Sequence, residues 1–272
     1  MDHARISALA GRLLDAYEGS HTLDPITASD PSFDMAAAYA VLREIHARRT
    51  ASGWRAVGRK IGFTNRTIWA RYGVDRPWWA HVYSHTVHRA PDGHAARAIA
   101  GFVQPRIEPE VVFGLRGPVP AAGDARAVLD AVDWIAAGFE IVQSHFPGWR
   151  FRTPDCTAAF GLHGALIVGP ETRLDATERD RLAAMLPDFE VTLQRGAVIV
   201  DRGRGRNVLD SPALALRHLA ELLASQPDAP PLAAGEIITT GTLTDAWPIA
   251  AGSRWRSDYG ALGVRGIELA LL

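Results

Sequence analysis

The chain has 272 residues, 47% of them hydrophobic and 22% charged, with 29 basic side chains against 30 acidic ones. That balance offers no basic stripe for nucleic acid and no acidic tail. A single cysteine, Cys156, excludes an internal disulfide and any cysteine-based zinc cluster.

The opening stretch, MDHARISALAGRLLDAYEG, has an acidic second residue and no long apolar core, so it does not read as a secretory signal. No apolar run approaches the ~18 residues of a membrane-spanning helix. The expectation is a cytoplasmic protein with no membrane contact that binds a small molecule. Ile6, Leu9, Leu13, Leu14 and Tyr17 share one helical face, and Gly19 is a stop signal. SFDMAAAYAVLREIHARRTASG predicts a second helix, with Tyr39, Leu42 and Ile45 as its buried stripe and Gly53 as its end. Residues 1–53 therefore read as a helical N-terminal region.

From residue 54 to 272 the pattern is that of a mixed β domain. GWRAVGRKIGF holds short β-like runs broken by glycines, and RIEPEVVFGL reads as a strand that carries carboxylates. DARAVLDAVDWIAAG returns to helical spacing through Val128, Leu129, Val132 and Ile135. FEIVQSHF and GALIVG read as strands. Asp175 and Glu178 have capping-box spacing, FEVTLQRGAVIVDRG predicts a hairpin turning near Arg195 and Gly196, and Ser211 with Pro212 opens a helix. GEIITTGTLT and GVRGIELALL are late strands. Strands and helices do not alternate regularly, which argues against a doubly wound parallel sheet. An α+β fold with a large, curved mixed β-sheet is expected.

Lys60, in GRKIGFTNR, is the only lysine of the chain. Scarcity has two readings. An Arg-rich chain has few lysines whatever their use, but only lysine, not arginine, can release a proton near neutral pH when buried. Glu108 and Glu110, two apart on one strand, point to the same face. They are either a solvated pair served by Arg106 or a buried pair that needs a cation, and carboxylate oxygens suit Mg2+ or Mn2+ rather than zinc. Glu140, flanked by Phe139, Ile141 and Val142, offers a third carboxylate in an apolar run.

The ordered set KIGFTN, QPRIEPEVVFGL, GFEIVQSHFPGW, GLHGALIVG and GEIITTGT resembles the fumarylacetoacetate hydrolase superfamily. Within it the chain is similar to the 2-keto-4-pentenoate hydratases (2-hydroxypenta-2,4-dienoate hydratases) and the related 4-oxalocrotonate decarboxylases, from about residue 5 to the C-terminus. The resemblance implies a Mg2+ or Mn2+ site of Glu108, Glu110 and Glu140, with Lys60 in the active site. It also implies homo-oligomers and a 2-oxo or 2-hydroxy-dienoic acid as the small-molecule partner. The implied reaction is hydration of a 2-hydroxy-2,4-dienoate, through its 2-oxo-enoate tautomer, to a 4-hydroxy-2-oxo acid in aromatic catabolism. A 2-oxo-enedioate decarboxylase, an acylpyruvate C–C hydrolase and a non-catalytic partner subunit are the other readings.

The chain also departs from that pattern. No acidic residue lies between Asp75 and Asp92, where the hydratases lead one to expect one near Ser84 and His85. After Asp155 the run is Ala158, Ala159, Phe160, Gly161, Leu162 where polar residues are usual, and Gln143 replaces an aspartate. A more apolar pocket is expected. His85 and His163 are candidates to take over proton transfer, with His81 and His145 behind them. The resemblance implies that Thr240, Gly241 and Thr242 line the substrate site, and Trp78 and Trp79 read as pocket walls or as packing or a subunit interface. Arg66 and Arg71 read as carboxylate binders or helix caps. A His–Glu pair for water activation would have to come from Glu44 and His46, whose i,i+2 spacing keeps them off a common helix face.

Overall fold

The computed structural model describes residues 1–72, 74 and 76–272, with the side chains of Arg71 and Tyr72 outside the description. The sequence-based expectation for Arg71 therefore lies outside the described residues.

Two sheets carry the domain. The strands, in chain order, are β1 (Ala56–Gly62), β2 (Trp78–Tyr83), β3 (Val87–Arg89), β4 (His94–Arg97), β5 (Arg106–Leu115), β6 (Val132–Val142) and β7 (His163–Val168). They continue with β8 (Thr172–Arg173), β9 (Glu190–Arg195), β10 (Val198–Arg204), β11 (Ile237–Thr239), β12 (Trp247–Pro248), β13 (Arg254–Asp258) and β14 (Glu268–Leu271). Among the described residues the larger sheet runs β2-β1-β11-β5-β6-β7-β3, with β12 on β5 and β8 on β6, and the smaller runs β10-β9-β13-β14-β4. β1 pairs parallel with β11 and antiparallel with β2, so the mixed character expected from the sequence is present.

The helices form where the capping chemistry says they should. Asp2 and Asp34 cap His3–Glu18 and Met35–Ala51 by accepting from Arg5 N and Ala37 N. Asp175 accepts from Glu178 N at the start of Ala176–Met185, and Ser211 with Pro212 opens Pro212–Ala224. The hairpin turns between β9 and β10 as expected.

One element differs. The helical spacing over residues 124–138 holds only for Ala125–Leu129, and Val132 and Ile135 belong to β6. β6 is buried on both faces, between β5 and β7 in the sheet, so both faces are apolar and the run lacks the alternation of a half-buried strand.

The N-terminal helices do not close a core by themselves. Leu9, Leu13, Phe33, Val41 and Ile45 share a cluster with Phe146, Ala158 and Phe160 from the later part of the chain. Buried Asp155 reinforces this, accepting from Thr27 N at 2.9 Å and from Thr27 Oγ1 at 2.6 Å. No helix among the described residues is long and apolar enough to cross a membrane.

Candidate active site

β5 and β6 place the carboxylates. Glu108 and Glu110 alternate onto one face of β5, and the register sets Glu108 opposite Glu140 and Glu110 opposite Gly138. β1 brings Lys60 to the same place through β11, where Lys60 is paired with Thr239. One oxygen of each of Glu108, Glu110 and Glu140 lies within 4.8 Å of the others. Glu110 and Glu140 are buried and Glu108 is half-buried.

Lys60 Nζ donates to Glu140 Oε1 at 2.8 Å and to Oε2 at 2.9 Å. Desolvation works against the ammonium, but Glu140, Glu108 and Glu110 together outweigh it and hold the Lys60 pKa above its ordinary value. Burial alone would raise Glu140. Lys60 and His163 reverse that and hold it down at about 2. Burial pushes Glu108 up to about 7, with Lys60 opposing the rise and Glu140 adding to it. Burial and the two neighbouring carboxylates push Glu110 well above the usual range.

This donor set fits a divalent cation. Three carboxylates face one ammonium, so the cluster carries two uncompensated negative charges if all are ionised, and buried charge of that kind demands a partner. Glu110 Oε1 is buried and accepts no hydrogen bond among the described residues. Its other oxygen is fixed, accepting from the Thr239 hydroxyl and from Gly241 N at 2.7 Å. An all-oxygen set with one lone pair held ready suits Mg2+ or Mn2+.

The strands around the cluster are pinned. Buried Tyr259 donates its hydroxyl to Glu110 O at 2.5 Å and lies 3.3 Å from Gly138 O, bridging β5 and β6 where the carboxylates stand. Gly241 has φ +98, and a Cβ there would meet Thr64 Oγ1 at 1.8 Å, so only glycine lets this backbone N–H reach Glu110.

His163 joins the cluster, donating from Nδ1 to Glu140 Oε1 at 2.8 Å while its Nε2 contacts Thr86 Oγ1 at 2.8 Å. Desolvation lowers its pKa although Glu140 opposes this. His85 is not brought here: it is exposed and stands edge-on to Trp54, with ring centroids 3.7 Å apart. His81 stacks on His46, and His145 contacts His21 O through Nδ1 at 3.0 Å. The missing acid is thus not replaced by His85, because the short turn Ser84–Thr86 points Thr86 inward and His85 outward.

A cavity of about 590 Å³, including its open mouth, lies above the carboxylates. Gly241 and Thr242 line it, whereas Thr240 is turned away and spends its hydroxyl on Val111 O at 2.9 Å. Trp78 walls it rather than Trp79, since neighbouring strand residues face opposite ways; Trp79 instead stacks on Tyr39 and donates to Gln226 Oε1 at 3.1 Å. The indole N–H of Trp78 is buried with no hydrogen-bond partner among the described residues. Phe63, Thr64, Asn65, Trp149 and Phe151 also contribute to the lining. Thr239, Tyr259, Thr86 and Trp149 were not legible as site residues. Thr239 alone had a signal, because strand alternation from Gly241 sets it on the same side.

The family model for the fumarylacetoacetate (FAA) hydrolase C-terminal domain matches residues 62–264. The chain belongs to the fumarylacetoacetate hydrolase family. It is 30% identical over 269 residues to the 2-hydroxyhexa-2,4-dienoate hydratase of Comamonas testosteroni, covering 98% of each chain. It is 28% identical over 259 residues to the 4-oxalocrotonate decarboxylase of Pseudomonas sp. strain CF600, covering 95% of this chain and 94% of the other. The 4-oxalocrotonate decarboxylase from Pseudomonas putida G7, solved with magnesium and adipate, has the same fold, with a TM-score of 0.89 at 24% identity over 100% of this chain and 99% of that one. For this fumarylacetoacetate hydrolase family member, Lys60 lies just outside the matched segment, so its place beside Glu140 comes from the geometry alone.

Proposed function

We propose that this chain is a Mg2+- or Mn2+-dependent hydratase that converts a 2-hydroxy-2,4-dienoate, through its 2-oxo-enoate tautomer, to a 4-hydroxy-2-oxo acid in aromatic catabolism. The observation that carries the reading is the cluster of Glu108, Glu110 and Glu140 facing Lys60 at the floor of a cavity. Residues 1–53 act as a helical N-terminal region and 54–272 as the catalytic part of a cytoplasmic homo-oligomer.

Glu108, Glu110 and Glu140 would hold the cation, which when bound would supply positive charge to polarise a 2-oxo acid. The protein's own groups handle the protons. Ketonisation removes the 2-hydroxyl proton and places one at C5; hydration then adds water at C4 and a proton at C3. Lys60 is the proton donor at the floor, its ammonium held in register by Glu140, which His163 in turn orients. The free Trp78 N–H is placed to meet a substrate oxygen, and the rings of Phe63, Trp149 and Phe151 exclude water.

A decarboxylase would use the same floor. A C–C hydrolase is disfavoured, because Glu44 pairs with Arg48 and His46 stacks on His81, away from the carboxylates. The test is loss of ultraviolet absorbance of freshly generated 2-hydroxypenta-2,4-dienoate with gain of one water by mass, dependent on Mg2+ and abolished by EDTA and by Lys60→Ala. No turnover by protein that still binds metal would overturn the hydratase reading and favour the partner-subunit role.

A further inference from the structure

A second cavity lies on the reverse side of β2. Trp78 faces the cavity over the carboxylates, so the alternation of the strand turns Trp79 and His81 the other way. There they meet Tyr39, Leu42 and His46 of the helix Met35–Ala51, and the turn that holds Ala229 closes the far side. The space is about 630 Å³ with its open mouth, as large as the one over the carboxylates. None of the three glutamates, and not Lys60, lines it.

Its walls are aromatic and aliphatic, and most of the polar atoms on them are spent. Trp79 Nε1 donates to Gln226 Oε1 at 3.1 Å, and the Tyr39 hydroxyl accepts from Trp79 N at 3.3 Å. Arg59, behind Trp79, donates to Pro230 O at 2.6 Å and pairs with Glu236. At the mouth Arg43 stands 3.7 Å from Asp228, so charge is balanced there.

The exception is the imidazole pair. His46 and His81 stack with centroids 3.9 Å apart and planes 17° apart. Burial, with His46 and Arg59 adding to it, lowers the His81 pKa to about 3, and burial with Arg59 and Arg49 lowers that of His46. Both rings are therefore neutral at pH 7, and together they carry two N–H groups and two lone pairs. The Tyr83 hydroxyl takes one of these four, at His46 Nδ1, 3.0 Å away. Whichever tautomers are present, at least one donor and one acceptor remain without a partner among the described residues.

We infer that this cavity is a second binding site, separate from the metal floor, and that it takes a neutral hydroxylated aromatic ring. The ring packs among Tyr39, Leu42 and Trp79, and its hydroxyl bridges His46 and His81. A hydroxyl gives one hydrogen bond and takes one, which matches what the pair leaves open. An aryl ether or a carboxylate only accepts, and would leave an imidazole lone pair unmatched.

Calorimetry on the Mg2+-loaded full chain tests this with 4-methylphenol, with 4-methylanisole, whose oxygen cannot donate, and with 4-methylbenzoate. The expected result is that 4-methylphenol binds at least about fivefold tighter than either of the others, the difference one hydrogen bond makes. His81→Phe should weaken 4-methylphenol by about fivefold or more while leaving Mg2+ affinity within about twofold. Ala229→Trp, a substitution in a surface turn that fills the cavity from its edge, should abolish 4-methylphenol binding even if His81→Phe does not fold. No binding of 4-methylphenol, equal binding of the anisole or the benzoate, or a 4-methylphenol affinity unmoved by these substitutions overturns the site.

Discussion

Replacing Gly241 with alanine tests whether the backbone that holds Glu110 is as constrained as the geometry says. The residue sits at φ +98, where an L side chain costs about 1–2 kcal/mol. The added Cβ would stand 1.8 Å from Thr64 Oγ1, so Thr64 must move and give up its 2.9 Å bond to Thr240 O, worth about 1 kcal/mol more. The sum is a loss of about 2–3 kcal/mol, or roughly 4–12 °C in Tm for a domain of this size. The same shift moves the N–H that donates to Glu110 Oε2, so Mg2+ affinity should fall by about tenfold, as it does when a group orienting a ligand is lost. Gly252→Ala is the control: φ is +79 there too, but nothing lies within 4 Å of the new Cβ, so strain acts without a clash. Thermal unfolding and Mg2+ titration of both variants decide the matter. If Gly241→Ala matches Gly252→Ala in Tm and in Mg2+ affinity, the constraint argued for this turn is wrong.

Lys60→Met leaves Glu140 buried without its ammonium, so the metal-free protein should lose about 3–5 kcal/mol, with saturating Mg2+ recovering part of it; chemical denaturation with and without Mg2+ reads both. Tyr259→Phe removes the bridge between Glu110 O and Gly138 O at a cost of about 1–3 kcal/mol and should weaken Mg2+ binding, and unchanged values in urea melts and titrations would dismiss the bridge. Burial, with His46 and Arg59 adding to it, lowers the His81 pKa to about 3. The unfolded chain takes up that proton near pH 6.5 and the folded one does not, so the contribution is intact above about 6.5 and is lost as pH falls. At pH 5 the loss amounts to about 2 kcal/mol, and His81→Phe should shrink the stability difference between pH 7 and pH 5 by about that much.

Local signals were legible wherever a residue acts within its own element. Asp175 and Ser211 cap the helices they precede, and the turn at Arg195 and Gly196 closes a hairpin, because these bonds span only a few residues. Glu108 and Glu110 share a face by strand alternation alone, and that period is a property of the chain. Lys60 stood out as the only lysine of the chain.

Partnership across strands was decided only by the tertiary structure. Register sets Glu140 opposite Glu108, and a slip of one residue would have turned it away. The choice of Trp78 over Trp79 and of Thr86 over His85 has the same origin: neighbours in sequence face opposite ways, and only packing against β1 and His163 says which way is in. The span 132–138 was misread as helix because a strand buried on both faces has no polar face to reveal its period. Strand alternation thus put two carboxylates on one face, the resemblance gave them a chemistry, and the sheet determined which atoms meet, because hydrogen-bond register, unlike capping, is set by strands far apart in the chain.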